Sequence, residues 1–315
     1  MNELLTNAAA PRSKLLRRRA RSTCTVLVAA STLALGGLLV GSTAGASGKA
    51  SPVKIDGFTV SADSTLAAAV PAAVKTTGLV DITYNDAPPD EIVTNGKLVG
   101  WEVDLGKAVA ATLNLSWHAT ASGAFDGFIP GLQNGRYNTS FTSFISTPAR
   151  LKQIDIVTYY NVGTGFAVLK TGSIKITKAT DLCGKSVAVI AGSAFIQQLT
   201  GVDPACKTAG LANVNVVSFP SDSAAELAVS SGRDQVYSSS EDQLSWLIQQ
   251  TEHQFVLQPL NYQPTPEGVG VAKKAGITSL IGKAMNHLIA TGAYAAIMKH
   301  WSLTYGLVKS AGVHK

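Results

Sequence analysis

SFTSFISTPARLKQIDIVTYY, residues 140–160, is the most informative stretch of the chain. Tyr137 to Phe144 has the aromatic, apolar character of a buried strand, and Thr142 and Ser143 place two hydroxyls at its end. Ser146–Thr147–Pro148 then reads as a helix start, with Thr147 as N-cap and Pro148 at the first helical position. Arg150 follows one turn in. Free amides at a helix N-terminus, flanking hydroxyls and one arginine suit a bound carboxylate. Taken alone, the segment equally fits an ordinary capped helix with a surface arginine.

Outward from it, strands and helices alternate. Upstream, the pattern predicts helical spacing over 66–74 broken at Pro71, a strand at 79–84, a loop at 85–89, a helix at 103–113, a short strand at 116–119 and a helix at 125–133. A strand at 165–169 closes this run. A second run follows, with strands at 186–190, 215–219, 235–238, 255–257 and 268–271. Helices are expected at 194–199, 223–231, 243–250, 277–291 and 294–301. Two β/α runs imply two doubly wound lobes. Ligands of open α/β sheets bind beyond the carboxyl ends of the strands, so a cleft between the lobes is the expected site.

The formal charge of +6 is mostly local. Residues 1–46 hold six of the 26 Lys and Arg and one of the 20 Asp and Glu, leaving 20 basic against 19 acidic residues beyond them. That balance removes the electrostatic case for nucleic-acid binding. The basic residues Arg17, Arg18, Arg19 and Arg21 precede an apolar run from Val26 to Val40, and Ala44–Gly45–Ala46 fits a small-residue cleavage site. Residues 1–46 are therefore expected to be a signal peptide, with export of the remainder. Cys24 lies before the apolar run, so no lipobox is seen. Residues 47–77 read as a lead-in, with 47–62 as a tether. Cys183 and Cys206 remain in the exported part and suggest a disulfide; two separate buried thiols are the alternative. No metal-ligand spacing occurs, and neither a metal nor a cofactor is expected.

A series of motifs extends the reading. The chain has GKLVGWEVDL at 96–105, FDGFIPGLQNG at 125–135, TPAR at 147–150, DIVTYY at 155–160, DLCGKSVAV at 181–189, AGS at 191–193 and SGRD at 231–234. In order and spacing, over about residues 66–303, this series resembles the amino-acid-type (family 3) extracellular solute-binding proteins of bacterial ABC importers. The cysteine pair and the aromatic form of the central segment look similar to actinobacterial members. The resemblance implies a two-lobed, periplasmic-binding-protein-like (type II) α/β fold, with doubly wound sheets joined by a two-strand hinge. Residues 78–168 and 266–315 would form lobe one and 169–265 lobe two, with hinge strands near 166–172 and 258–270.

It also implies roles. Arg150 would bind a ligand carboxylate, helped by Thr142, Ser143 and the amide of Ile145. Phe125 would lie against the ligand body, and Gly192 and Ser193 would present amides from lobe two. Asp104, Asp126, Asp155 and Asn138 are expected to be structural. Two departures stand out. Ala87 occupies the place of a usual aromatic residue before the proline pair, and Ser239 that of the aspartate that usually meets a ligand ammonium. Asp86, Glu241 or Asp242 would have to replace that aspartate, or the ligand is not an α-amino acid, or the alignment is shifted there by one or two residues. The expected function is capture of a small polar solute for an ABC permease, by a monomer that closes like a clamshell and catalyses nothing. A dehydratase-like enzyme on the same fold and a transporter-independent sensor are the alternatives.

Overall fold

The computed structural model describes residues 52–315 except Asp56 and His253. The expected signal peptide lies outside the described residues.

The chain opens with a small antiparallel hairpin, β1 (Val53–Ile55) and β2 (Phe58–Val60), where the sequence predicted a tether. The reason is local: Ile55 and Val60 are buried in the same core as the long helices that follow. α1 (Ser64–Ala68) and α2 (Ala72–Thr77) are separated at Pro71. Asp63 caps α1 by accepting from the Thr65 and Leu66 amides.

β3 (Leu79–Tyr84) leads into a small three-stranded sheet, β4 (Asp86–Ala87), β5 (Glu91–Thr94) and β6 (Lys97–Val99), which sequence patterning did not reveal. α3 (Trp101–Thr112) follows, then β7 (Trp117–Ser122), a 3-10 turn at Phe125–Gly127, α4 (Phe128–Gln133), β8 (Thr139–Ile145) and α5 (Pro148–Leu151). Next come β9 (Asp155–Leu169), β10 (Ser186–Ile190), α6 (Phe195–Thr200), α7 (Asp203–Thr208), β11 (Asn215–Phe219) and α8 (Asp222–Ser230). The chain ends with β12 (Val236–Ser240), α9 (Glu241–Gln250), β13 (Phe255–Leu257), β14 (Tyr262–Val271), α10 (Thr278–Thr291), α11 (Ala293–His300) and β15 (Leu307–His314).

The strand order is β11-β10-β12-β9-β14-β8-β3-β7. Its two halves are two sheets that share long strands. The first half of β9 pairs with β14 and β15, at Val157 with Val269 and Val313. Its second half pairs with β12 and β13, at Ala167 with Tyr237 and Leu257. The change of partner falls around Asn161–Thr164, so a lobe boundary at 168 lies inside a continuous strand. β14 crosses beside it, with register shifts between Tyr262 and Thr265 and between Glu267 and Gly268. Gly268 permits that close crossing: a Cβ there would sit 1.9 Å from the Val157 carbonyl oxygen.

Each sheet is covered on both faces, as parallel strands require. In one lobe, Trp101, Phe141, Tyr159, Met285 and Met298 fill the face under α3, α10 and α11. Tyr84, Phe128, Phe144 and Ile154 fill the other under α4. In the second lobe, Phe166, Val187 and Leu199 lie under α6 and α7, and Ala225, Tyr237 and Leu244 under α8 and α9. This is the two-lobed type II α/β architecture. Asn138 is structural: its amide donates to the Gly78 carbonyl and accepts from the Val80 amide, tying the start of β3 to the approach of β8. Asp155 accepts from Lys273 and Thr278, at 2.6 Å each. Asp104 accepts from the Trp301 indole at 2.9 Å.

Cys183 and Cys206 form a disulfide, with Cα atoms 5.6 Å apart and a sequence separation of 23. Closing a loop of that length stabilises by about 3 kcal/mol in the chain-entropy account. Replacing both cysteines by serine is expected to lower the melting temperature by roughly 5 °C or more, measured calorimetrically. An unchanged midpoint would contradict a stabilising crosslink.

Candidate functional site

β8 delivers Thr142, Ser143 and Ile145 to the cleft, and α5 delivers Arg150. Thr147 caps α5 by accepting from the Arg150 amide at 3.3 Å. Arg150 is only 7% exposed. Its guanidinium donates to the Ile145 carbonyl at 3.0 Å and, across the cleft, to the Gly192 carbonyl at 3.2 Å. It lies 5.7 Å from the Phe125 ring centroid and 5.0 Å from that of Phe144. Burial pulls its pKa down to about 10, against the charge of Glu267, so it stays a cation at neutral pH.

The cavity beside Arg150 is a half-open cleft with about 490 Å³ of non-atom space, open solvent at its mouth included. Its walls include Arg150, Thr142, Ser143, Ile145, Phe125, Ser193 and Ser239, so seven of the residues expected from sequence converge there. Gly192 stands behind the wall and offers its carbonyl, not its amide, to Arg150. Ser193 turns its amide and hydroxyl back to the Ile190 carbonyl in the tight turn after β10. Asp86 faces a neighbouring cavity instead, where its carboxylate accepts from the Ser223 amide at 3.0 Å. The hydroxyls of Thr142 and Ser143 are already engaged. Thr142 donates to Glu91, and Ser143 donates to Glu102 through both its hydroxyl, at 2.6 Å, and its amide, at 3.0 Å. Ser143 takes φ +48°, a strained backbone for a non-glycine residue.

The surprise is acidic. Asp90, Glu91, Asp222 and Glu267 also line the cavity, with Glu102 and Asp242 buried close behind. Gly100 makes the Asp90–Glu91 placement possible, since a Cβ there would lie 1.9 Å from the Asp90 carbonyl oxygen. Asp90 accepts from the Trp101 indole and from Gln243, both at 2.8 Å. Gln243 in turn accepts from Ser239, so one amide spans the cleft between the lobes. Glu91 Oε2 and Glu267 Oε1 are buried and accept no hydrogen bond from the described residues. Asp242 is likewise buried.

Desolvation raises all of these carboxyls, and neighbouring carboxylates raise Asp90, Glu91 and Glu267 further. Glu102 is pushed up to about 7 by burial, against the bonds from Ser143 and Tyr159. Arg150 is the single Lys or Arg among the lining residues. Chemically, the cavity offers one fixed cation and several buried acids that an additional positive charge would stabilise.

Sequence reasoning missed Tyr84, Asp90, Glu91, Asp222, Gln243 and Glu267. The available signal was a charged residue inside an otherwise buried pattern, as with Glu267 before the apolar end of β14. Glu241, one candidate for the ammonium partner, is instead bonded to Asn261 at 2.7 Å.

No helix among the described residues is long and apolar enough to cross a membrane. Residues 79–304 match the family described as bacterial extracellular solute-binding proteins, family 3. The chain is 24% identical to the arginine-binding protein ArgT of Corynebacterium glutamicum, covering 79% of this chain and 82% of that one. It is 31% identical to the L-arginine-binding protein of Pseudomonas aeruginosa, over 70% and 86% of the two chains. The solved structure of an ancestral arginine-binding protein bound to arginine superposes with a TM-score of 0.64 at 29% identity, covering 71% of this chain and 97% of that one. These relatives are binding proteins by name, and the motif series read from the sequence falls within the matched span. The chain belongs to the bacterial extracellular solute-binding proteins of family 3.

Proposed function

We propose that the protein captures a cationic α-amino acid outside the membrane and presents it to the permease of an ABC importer. The observation that carries this reading is the charge of the cavity: one guanidinium set among several buried carboxyls, two of which have an oxygen without a donor. Burying an ionised carboxylate unpaired costs several kcal/mol. A ligand that brings one carboxylate and two cationic groups satisfies Arg150 and offsets the acidic surplus together. A neutral amino acid leaves that surplus in place, and glutamate adds to it. Arginine-binding relatives support the same reading.

Capture proceeds by closure. The ligand carboxylate meets Arg150 on lobe one, and lobe two then covers it. Four hydrogen bonds bridge the cleft: Arg150 to Gly192, Gln243 to Asp90, the Asp222 amide to Tyr84, and the Ser223 amide to Asp86. Bending where β9 and β14 cross would separate them. The closed face then reports occupancy to the permease.

Calorimetric titration with L-arginine, L-lysine, L-glutamine and L-glutamate tests the reading. Arginine or lysine is expected to bind at least about 100-fold more tightly than glutamate, a difference of about 3 kcal/mol. Equal affinity for glutamate, or a preference for it, would overturn the assignment.

A further inference from the structure

We infer that the binding site continues past Ala87 into a second cavity between the lobes, and that this extension receives the cationic end of a long amino-acid side chain. The inference rests on the cationic-amino-acid reading and adds where the side chain goes. The second cavity is a half-open cleft with about 570 Å³ of non-atom space, open solvent at its mouth included. It shares Ala87, Asp222 and Gln243 with the cavity beside Arg150, so these three residues form a common wall. Ala87 is buried and contributes only a methyl group to that wall, which makes it the thinnest side chain of the three.

The far side is chemically built for a cation. Asp222 opens α8 and is nine-tenths buried. Its Oδ1 accepts from the Tyr237 hydroxyl at 2.6 Å. Glu226 lies four residues further along α8, on the same helix face, and lines the cavity with Asp86. Burial raises the pKa of both Asp222 and Glu226, and the charge of Asp86 raises both further. Three acidic side chains thus face a half-enclosed space with no Lys or Arg among its lining residues. Trp246 and Leu247 of α9 provide an apolar flank against which methylenes can lie. A ligand held by its carboxylate at Arg150 would send its chain past Ala87, along that flank, to Asp222 and Glu226.

A length series read by calorimetry on the whole protein tests this. The probes are L-2,4-diaminobutyrate, L-ornithine, L-lysine, L-arginine and L-homoarginine. Affinity is expected to climb at least about 10-fold from the shortest to the longest. Glu226→Gln, at a residue that lines only the second cavity, is expected to flatten the series while diaminobutyrate binding stays within about 2-fold. Ala87→Phe thickens the wall and is expected to weaken arginine at least about 10-fold more than diaminobutyrate; melting curves check that it folds. A flat series in the unaltered protein, or a Glu226→Gln effect equal at every length, would overturn the extension while leaving the cationic reading standing. If none of the series binds and a neutral amino acid does, the cationic reading falls and the extension with it.

Discussion

Arg150→Ala is expected to weaken binding by two to three orders of magnitude, on the order of 3–4 kcal/mol, with little change in fold. The size of the effect follows from burial. Arg150 is 7% exposed, its guanidinium lies against the Phe125 and Phe144 rings, and it is the single Lys or Arg among the residues lining the cavity. A ligand carboxylate that enters this space loses its water and finds Asp90, Glu91 and Glu267 nearby. Without Arg150 it would be a buried anion among buried acids, the costliest arrangement the site allows. The fold should tolerate the change, because Arg150 contributes two hydrogen bonds to carbonyls and no ion pair. Arg150→Lys keeps the charge but loses the two-pronged donor, so an intermediate loss of roughly 1–2 kcal/mol is expected. Titration calorimetry with arginine reads both. Affinity unchanged in Arg150→Ala would remove the residue from the site.

What the sequence disclosed depended on whether a residue's neighbours in space were also its neighbours in the chain. Thr147, Pro148 and Arg150 form a local motif, and the structure places the cap and the arginine where that motif predicts. β10, β11 and β13 match the predicted strands, because each is a short run of largely apolar, β-branched or aromatic residues bounded by turns. The hairpin at residues 53–60 and β15 at the C-terminus were not read as strands. Both are short or polar segments held by distant parts of the chain: the hairpin packs into the core formed with α3, α10 and α11, and β15 pairs with the first half of β9. The same limit hid the acidic cluster. Asp90 and Glu91 follow a proline pair and read as an ordinary polar loop, yet Gly100 and the Trp101 indole draw them into the interior. Asp86 lies in the expected loop, and its carboxylate faces the second cavity. Charge inside a fold is a property of three-dimensional neighbours, and a residue-by-residue reading tends to assign it to the surface.

The acidic cluster makes the ligand-free protein more stable in mild acid than at alkaline pH. The unfolded chain holds its carboxyls near 4 to 4.5, about their ordinary values. In the folded protein burial raises Glu102 and Asp222 to about 7, and raises Asp90, Glu91 and Glu267. Between those limits the folded state holds protons that the unfolded state has released, so stability falls as pH rises from about 4.5 through 7. Glu102 alone accounts for a loss on the order of 3 kcal/mol by pH 8. The melting temperature without ligand is therefore expected to drop steadily from pH 5 to pH 8; a rise over that range would contradict the buried cluster. A cationic ligand reverses the preference, since it pairs with ionised carboxylates and drives protons off them. Binding should then tighten with pH and release protons, measured as a dependence of calorimetric heat on the buffer's protonation enthalpy. Glu267→Gln separates the two effects. It removes a buried acid with an unpartnered oxygen, so it should stabilise the ligand-free protein at pH 8 while weakening its hold on arginine. A residue that served only to support the fold would lose stability and affinity together.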